Sequence, residues 1–397
     1  MAHHRITVLP GDGTGREVTS EALNLLKVVE QHSPLSFTIT EIPCGGQYYL
    51  ETGEEWPSGS FEHCRDESDA ILLGAIGWPG AVKPNGDLAG GQVILGLRSG
   101  LDLFANVRPI KLYNGIRHKI HGEFKQVWTP GLVDMSIIRE NTEGLYQPLL
   151  SRSAHLARGE EYSGISDISI PGMDGEFAWD PRPISRIGSE RVIRFAFELA
   201  LQRSGNPSDG TNRVTCVDKS NVTRGCQLFR KIYREIATDF PNIETDESYI
   251  DAFTMWLVRQ PEFYDVVVVP NMFGDIVTDL ASALQGGMGM AASANIGDHH
   301  MLFEPVHGST PKRAGKGQVN PIAMLSSVQL MFEWLGRRKD DPDATIVSQI
   351  VESAIEELIT KGNPLTYDLG GSASTSEVSL AICASVTEKL KSHYVNA

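Results

Sequence analysis

Asp265-Val-Val-Val-Val-Pro-Asn-Met-Phe-Gly-Asp275-Ile-Val-Thr-Asp279 passes from a run of β-branched residues into a helical pattern, and this passage decides the fold class. Four successive valines suit a strand buried on both faces, as in a largely parallel sheet covered by helices. The helix is expected to begin near Gly274, and a spacing of four then puts Asp275 and Asp279 on one helical face. Two hard oxygen ligands at a strand-to-helix junction suit a Mg²⁺ or Mn²⁺ ion that keeps positions open for a ligand. Acidic residues are favoured near helix N-termini on their own account. The pair therefore gains meaning only from the rest of the chain.

Outward from this segment, strand patterns recur at 5–9, 35–42, 70–75, 136–139, 213–217 and 266–269. Helical patterns lie at 190–202, 227–237, 321–335, 344–361 and 376–391. Such alternation predicts an α/β architecture around a buried sheet. The stretch 150–187 is rich in Ser, Gly and Pro and lacks helical periodicity, with a strand-like alternation at 165–170. So long an irregular segment inside a compact protein points to a functional or intersubunit arm.

A net charge of -15 over 397 residues argues against a nucleic-acid partner and makes local arginines stand out as anion-recognition groups. Five cysteines without a Cys-x-x-Cys pair point to reduced thiols and a cytoplasmic location. The N-terminus runs directly into a strand pattern, so no signal or transit peptide is expected. Apolar runs such as 70–76 are too short to cross a bilayer, so no membrane partner is expected.

Arg98, Arg108 and Arg139 punctuate a stretch otherwise poor in charge. Guanidinium forks match carboxylates in bidentate geometry, so three of them could clamp a small polyanion. Lys219 follows an apolar strand pattern, where a nearby cation would help it lose its proton. Tyr146 offers a weak acid. Gly11-Asp-Gly-Thr-Gly15 lacks the full G-x-G-x-x-G spacing and is read as a structural turn beside a cleft. The segment from Glu304 to Pro321 is a better phosphate-binding candidate. Its glycines admit close backbone approach, Pro321 suits a helix first turn, and Lys312 and Arg313 add cations.

Seven ordered motifs resemble the isocitrate and isopropylmalate dehydrogenase family almost end to end. They are Leu9-Pro-Gly-Asp-Gly-Thr-Gly15, Leu97-Arg98 with Leu103-Phe-Ala-Asn-Val-Arg108-Pro, Arg139-Glu-Asn-Thr-Glu-Gly-Leu-Tyr146, Asp218-Lys219-Ser-Asn221-Val222, Asn271-Met-Phe-Gly-Asp275-Ile-Val-Thr-Asp279, Phe303-Glu-Pro-Val-His-Gly-Ser309 and Asp368-Leu-Gly-Gly371. The resemblance implies an isopropylmalate dehydrogenase-like fold distinct from the Rossmann fold, with two domains, a central sheet in each. Residues 1–103 and 286–397 would form the large domain, and 104–285 the small one with a clasp arm at about 150–187. A homodimer would share its active sites.

Carried over by position, the resemblance implies that Arg98, Arg108 and Arg139 hold substrate carboxylates and that Asp251, Asp275 and Asp279 bind Mg²⁺ or Mn²⁺. Lys219, with Asp251 and both from the neighbouring subunit, would remove the hydroxyl proton, and Tyr146 would return a proton after decarboxylation. Ile94, Leu95, Asn221 and Val222 would meet the substrate. Glu304, His307, Gly308, Ser309, Lys312, Arg313, Asn320 and Tyr367 would meet the cofactor. Lys312-Arg313 with Tyr367 favours NADP over NAD, because cations accept a 2′-phosphate that an acidic residue would repel. Gly371 stands where that NADP branch has an Arg.

The implied activity is NAD(P)-dependent oxidative decarboxylation of a malate-type 2-hydroxy acid. Isocitrate enzymes resemble Ser-x-Asn-x-x-Leu-Arg where this chain has Gln92, Ile94 and Leu97-Arg98. An apolar wall of Ile94, Leu95 and Val222 favours an alkyl group on C3, because a carboxylate there would be desolvated without a partner. 3-Isopropylmalate or a related 3-alkylmalate is the first expectation; isocitrate, homoisocitrate, tartrate and D-malate are alternatives. A noncatalytic regulatory subunit is a further alternative, but it would be expected to lose catalytic positions that this chain retains.

Overall fold

Val266 to Val269 are all fully buried and form the expected strand, with a parallel neighbour on each side. The structure is a computed structural model that describes residues 2–84, 86–146 and 180–394. The first stretch holds β1 (His3–Leu9), α1 (Thr14–His32), β2 (Ser36–Glu41), α2 (Gly46–Thr52), α3 (Ser60–Asp66), β3 (Ala70–Leu73) and α4 (Gly91–Gly100). The middle holds β4 (Ala105–Lys111), β5 (His118–Ile120), β6 (Glu123–Lys125), β7 (Asp134–Glu140), α5 (Arg186–Gln202), β8 (Arg213–Asp218), α6 (Arg224–Ala237), β9 (Glu244–Tyr249), α7 (Ile250–Arg259), β10 (Val266–Val269) and α8 (Asn271–Ser282). The last holds β11 (Ala292–Ile296), β12 (Met301–Pro305), α9 (Ile322–Lys339), α10 (Pro342–Lys361) and α11 (Thr375–Tyr394).

The α/β class holds, with one refinement. Instead of a sheet for each half, a single ten-stranded sheet runs in the order β2-β1-β3-β12-β11-β4-β7-β10-β8-β9. Antiparallel pairing of β11 with β4 and of β4 with β7 stitches the two parallel wings together. Helices α9 and α5 pack on the sheet, and α10 and α11 close the layer beyond α9 and α1.

One further expectation changes. Helix α8 begins at Asn271, a turn before Gly274, so Asp275 and Asp279 sit in its middle. Most of the expected arm, including 165–170, lies outside the described residues. Residues 180–185 lead without regular structure into α5, whose Ser185 hydroxyl accepts from the Gly188 N–H. All five cysteines are buried free thiols. Among the described residues no helix is long and apolar enough to cross a membrane.

Candidate active site

The middle of the sheet carries polar residues where a core would ordinarily be apolar. Asn106 of β4 lies opposite Arg139 of β7 and opposite Asn295 of β11, and Arg108, two residues on, shares that face. A buried amide network ties them together. Asn106 Nδ2 donates to Ser293 Oγ and to Asn295 Oδ1, both at 2.8 Å. Asn106 Oδ1 accepts from Arg108 Nε at 2.8 Å. Asn295 Nδ2 donates to Glu304 Oε1 at 2.8 Å, and the same oxygen accepts from Arg98 Nη2 at 2.6 Å. Networks of this kind hold side chains in one geometry, though Arg98 Nε, buried beside this one, has no partner. Their role here is to aim Arg98 and Arg108 into a cleft of about 620 Å³ that Arg139 and Tyr146 also line.

Helix α8 meets this cluster at close range. A Cβ on Gly274 would fall 2.6 Å from Arg139 Cγ, so only glycine lets the helix backbone approach. Asn271 Oδ1 accepts from Arg139 Nε at 3.0 Å and from Nη2 at 2.8 Å. Arg139 Nη1 donates to Asp275 Oδ1, and Arg108 Nη2 reaches the same oxygen at 3.5 Å. Arg108 Nη1 donates to Thr278 Oγ1 and lies 3.8 Å from Asp279 Oδ1. The Tyr146 hydroxyl donates to Asp275 Oδ2 at 3.3 Å.

Burial, then repulsion from Arg108, brings Arg139 down to about 9, which leaves it charged at neutral pH. Burial likewise lowers Arg108. Burial opposes ionisation of Asp275, but Arg139, Arg108 and Arg98 together outweigh it and hold its carboxyl below the usual range. Asp279 is raised, by burial first and with Asp275 adding to it. Burial and Asp275 raise Tyr146. Two hard carboxylates one helical turn apart, the second with 61% of its side chain exposed, have the donor chemistry of a Mg²⁺ or Mn²⁺ site. Among the described residues, no three His, Cys, Asp or Glu side chains come together as a metal-holding group. The chain by itself thus supplies Asp275 and Asp279 without Asp251.

Lys219, Asn221, Val222 and Asp251 stand outside this cleft. Lys219 Nζ donates to Asp251 Oδ1 at 2.5 Å, and that hydrogen bond lowers the Asp251 carboxyl. Val222 is 68% exposed.

The wall beside the arginines is α4. Val93 and Leu97 are buried in a cluster with Ile71, Leu73 and Leu302, which turns Gln92, Ile94, Leu95 and Arg98 toward the cleft. Across from it, Glu304, His307 and Gly308 line the same cleft. Burial lowers the His307 imidazole, and its Nε2 is a buried atom without a hydrogen-bond partner.

Ser309, Lys312, Arg313, Asn320 and Tyr367 lie beyond the cleft on adjoining loops. Ser309 Oγ donates to Gly77 O, and Ser309 O accepts from the Thr14 N–H and hydroxyl, both at 2.9 Å. Arg313 lies over the Tyr367 ring at 4.0 Å, Lys312 is exposed, and Asn320 Nδ2 donates to Asp368 Oδ2 at 3.0 Å. The glycine loop differs from expectation in one respect. The Gly315 and Gly317 amides donate to Glu17 at 2.5 and 3.0 Å, so a carboxylate occupies the donors assigned to phosphate. The Gly11 to Gly15 turn does act structurally: Asp12 accepts from the Gly46, Gln47 and Gly77 amides, each at 2.8 Å.

Sequence reasoning missed Asn106, Asn271, Thr278 and Asn295, and assigned Glu304 only to cofactor although it binds Arg98. Asn106, Asn271 and Thr278 stand inside quoted motifs, but an uncharged polar residue there carries no signal that it is buried.

The isocitrate/isopropylmalate dehydrogenase family model matches residues 5–382. A 3-isopropylmalate dehydrogenase of Thermobifida fusca is 37% identical over 97% of this chain and 98% of the relative. A probable tartrate dehydrogenase/decarboxylase of Bacillus subtilis is 35% identical over 97% and 98%. Among solved structures, isocitrate dehydrogenase from Methylococcus capsulatus superposes with a TM-score of 0.76 at 32% identity, covering 97% of this chain and 99% of that one.

Proposed function

The chain belongs to the isocitrate/isopropylmalate dehydrogenase family, and from that premise we propose that it oxidatively decarboxylates a malate-type 2-hydroxy acid bearing an apolar C3 group, 3-isopropylmalate or a related 3-alkylmalate, with NADP preferred to NAD. Three buried guanidinium groups converging beside Ile94 and Leu95 support this most directly. Arg98, Arg108 and Arg139 bind the two carboxylates common to malate-type acids, exchanging them for the Glu304 and Asp275 oxygens they now hold. Ile94 and Leu95 receive the C3 group and exclude water from it.

Asp275 and Asp279 would hold Mg²⁺ or Mn²⁺, with Asp251 of a second copy. Bound metal and nicotinamide supply Lewis-acid polarisation of the 2-hydroxyl and an acceptor for hydride. Lys219 Nζ, oriented by Asp251, takes the hydroxyl proton, and Tyr146 OH returns a proton to the carbon that has lost CO₂. Because the Lys219–Asp251 pair stands outside its own cleft, we assign it to the cleft of a partner in a homodimer. The exposed apolar residues Val222, Met255, Trp256, Val258 and Ile276 on α7, α8 and the loop after β8 fit such an interface. The same premise gives the division into 1–103 with 286–397 and 104–285, and five buried thiols favour a cytoplasmic location.

Lys312 and the Arg313–Tyr367 stack favour the 2′-phosphate of NADP. Purified protein assayed with 3-isopropylmalate, isocitrate, homoisocitrate, tartrate and D-malate, each with NADP or NAD and with or without Mn²⁺, tests the proposal. The highest kcat/KM is expected for the alkylmalate with NADP and metal. Selective turnover of isocitrate, or a large preference for NAD, would overturn the corresponding part.

A further inference from the structure

Asn271 opens α8 immediately after Pro270 and is 2% exposed. Its side-chain amide joins two elements that the proposed chemistry needs in register. Oδ1 accepts from Arg139 Nε and Nη2, and Nδ2 donates to Glu143 O at 2.9 Å. Glu143 leads into the short turn Gly144–Tyr146. There the two backbones come so close that a Cβ on Gly144 would fall 3.3 Å from Asn271 Cβ, and Gly144 has a φ of +86°, which glycine adopts without strain. The far side of the same turn is tied down as well. The Gly144 N–H donates to Pro183 O at 3.0 Å, and the Glu143 carboxylate accepts from the Ser185 N–H at 3.0 and 3.1 Å.

Asp275 stands four residues on, on the same face of α8, and holds the same two side chains, with Oδ1 on Arg139 and Oδ2 on the Tyr146 hydroxyl. In the metal-binding role proposed above it turns those oxygens away from both partners. Apart from the approach of Arg139 to the Tyr146 ring at 5.7 Å, the Asn271 amide is then what still ties Arg139 to the turn that bears Tyr146. We infer that Asn271 is a positioning residue that keeps Arg139 and Tyr146 in register while Asp275 is committed elsewhere, so that the carbon left by loss of CO₂ meets the Tyr146 hydroxyl. The inference rests on the function proposed above and deepens it. Both ends of the amide are engaged within the chain, so Asn271 acts through Arg139 on carboxylate binding and through Glu143 on proton return.

In the proposed reaction the bond from C3 to the departing CO₂ breaks, its electron pair stays on C3, and the Tyr146 O–H proton moves there. Run in reverse, the same transfer exchanges the C3 hydrogens of the 2-oxo product with solvent without any hydride step, and NMR in D₂O reads it. For 3-isopropylmalate the product is 4-methyl-2-oxopentanoate; the malate-type acid that turns over best supplies the probe. Asn271→Ala should slow this exchange about tenfold or more and raise KM for the hydroxy acid severalfold, while Mn²⁺ affinity by titration calorimetry and the melting curve stay close to wild type. In a Tyr146→Phe background the same change should remove little further exchange yet still raise KM, because its effect on the proton passes through Tyr146. Asn271→Ser, which keeps a hydroxyl at the site, is the second variant should the alanine protein fail to fold, and its effects should be in the same direction and smaller. Unchanged exchange in these variants, an equal loss in both backgrounds, or a loss explained by weakened Mn²⁺ binding overturns the inference while the proposed oxidation stands. No turnover of any malate-type acid by wild type would sink the function itself and the inference with it.

Discussion

The arginine cluster and the Lys219–Asp251 pair carry the same kinds of charge in opposite settings. Arg98, Arg108 and Arg139 are 9%, 5% and 3% exposed, and their geometry is fixed by Asn106, Asn271, Thr278 and Glu304. Lys219 and Asp251 are held to one another at the surface. A buried cation needs its partners built in, because leaving it unpaired costs several kcal/mol; an exposed pair is screened by solvent and worth little to the fold. The arginine cluster is thus part of the core, whereas nothing in the folding of one chain requires the Lys219–Asp251 pair to be where it is. The difference teaches that burial, and not charge, decides which of these groups the fold of one chain holds in place.

The sharpest way to break this contrast is to remove charge from the buried half. Asp275→Asn should reduce metal-dependent turnover on the order of 10³-fold, and a melting temperature close to wild type would show that the fold survives. Undiminished activity in that variant would remove Asp275 from the metal site.

A smaller but more discriminating effect is expected from the pairing of halves. Lys219→Ala and Tyr146→Phe should each lower kcat on the order of 10²-fold to 10³-fold. If each cleft borrows Lys219 from its partner, the two inactive variants, unfolded together and refolded as a mixture, should recover about a quarter of wild-type activity. Half of the random dimers are then mixed, and each mixed dimer holds one intact cleft. A mixture no better than its components would place both residues in the cleft of one chain.

How much of this was legible in sequence follows the same division. Strand β10 announced itself because four valines need burial on both faces, and α10 was readable from its 3.6-residue periodicity. Strand β9, Glu-Thr-Asp-Glu-Ser-Tyr at 244–249, carries no apolar alternation; it lies at the sheet edge and is held by backbone pairing to β8. Strand β4 was hidden for another reason. One of its faces holds Asn106 and Arg108, and these polar side chains stand where the hydrophobic pattern that sequence reasoning depends on would be. The arginines and Asp275 were found because charge in an apolar setting is conspicuous. The amides that orient them were not, since an uncharged Asn looks the same on a surface and in a core. Which residues share a cleft depends on strand register; the separation of Lys219 from Arg139 was expected only through the family resemblance, and residue spacing alone does not give it.

Burial at Glu140 and the Lys219 hydrogen bond at Asp251 shift two carboxyls in opposite directions, and Glu140 gives the last and smallest test. It ends β7 directly after Arg139, is 1% exposed, and accepts from the Thr142 N–H and hydroxyl at 2.7 Å and the Glu143 N–H at 2.9 Å. Those bonds favour the anion, yet burial outweighs them and pushes its carboxyl up from 4.5 to about 7. Asp251, at the surface, is instead lowered by Lys219. A carboxyl whose pKa rises on folding holds its proton more tightly in the native state. The native chain is therefore favoured below about pH 4.5, and that advantage drains away as pH climbs through about 7. The loss should be on the order of 3 kcal/mol. Denaturant unfolding of wild type and Glu140→Gln between these limits checks it: the amide cannot ionise, so its curve should be flatter even if its baseline is lower. Equal slopes for the two proteins would mean that the hydrogen bonds, and not burial, govern this end of β7, and the contrast between a buried and an exposed half would lose its electrostatic basis.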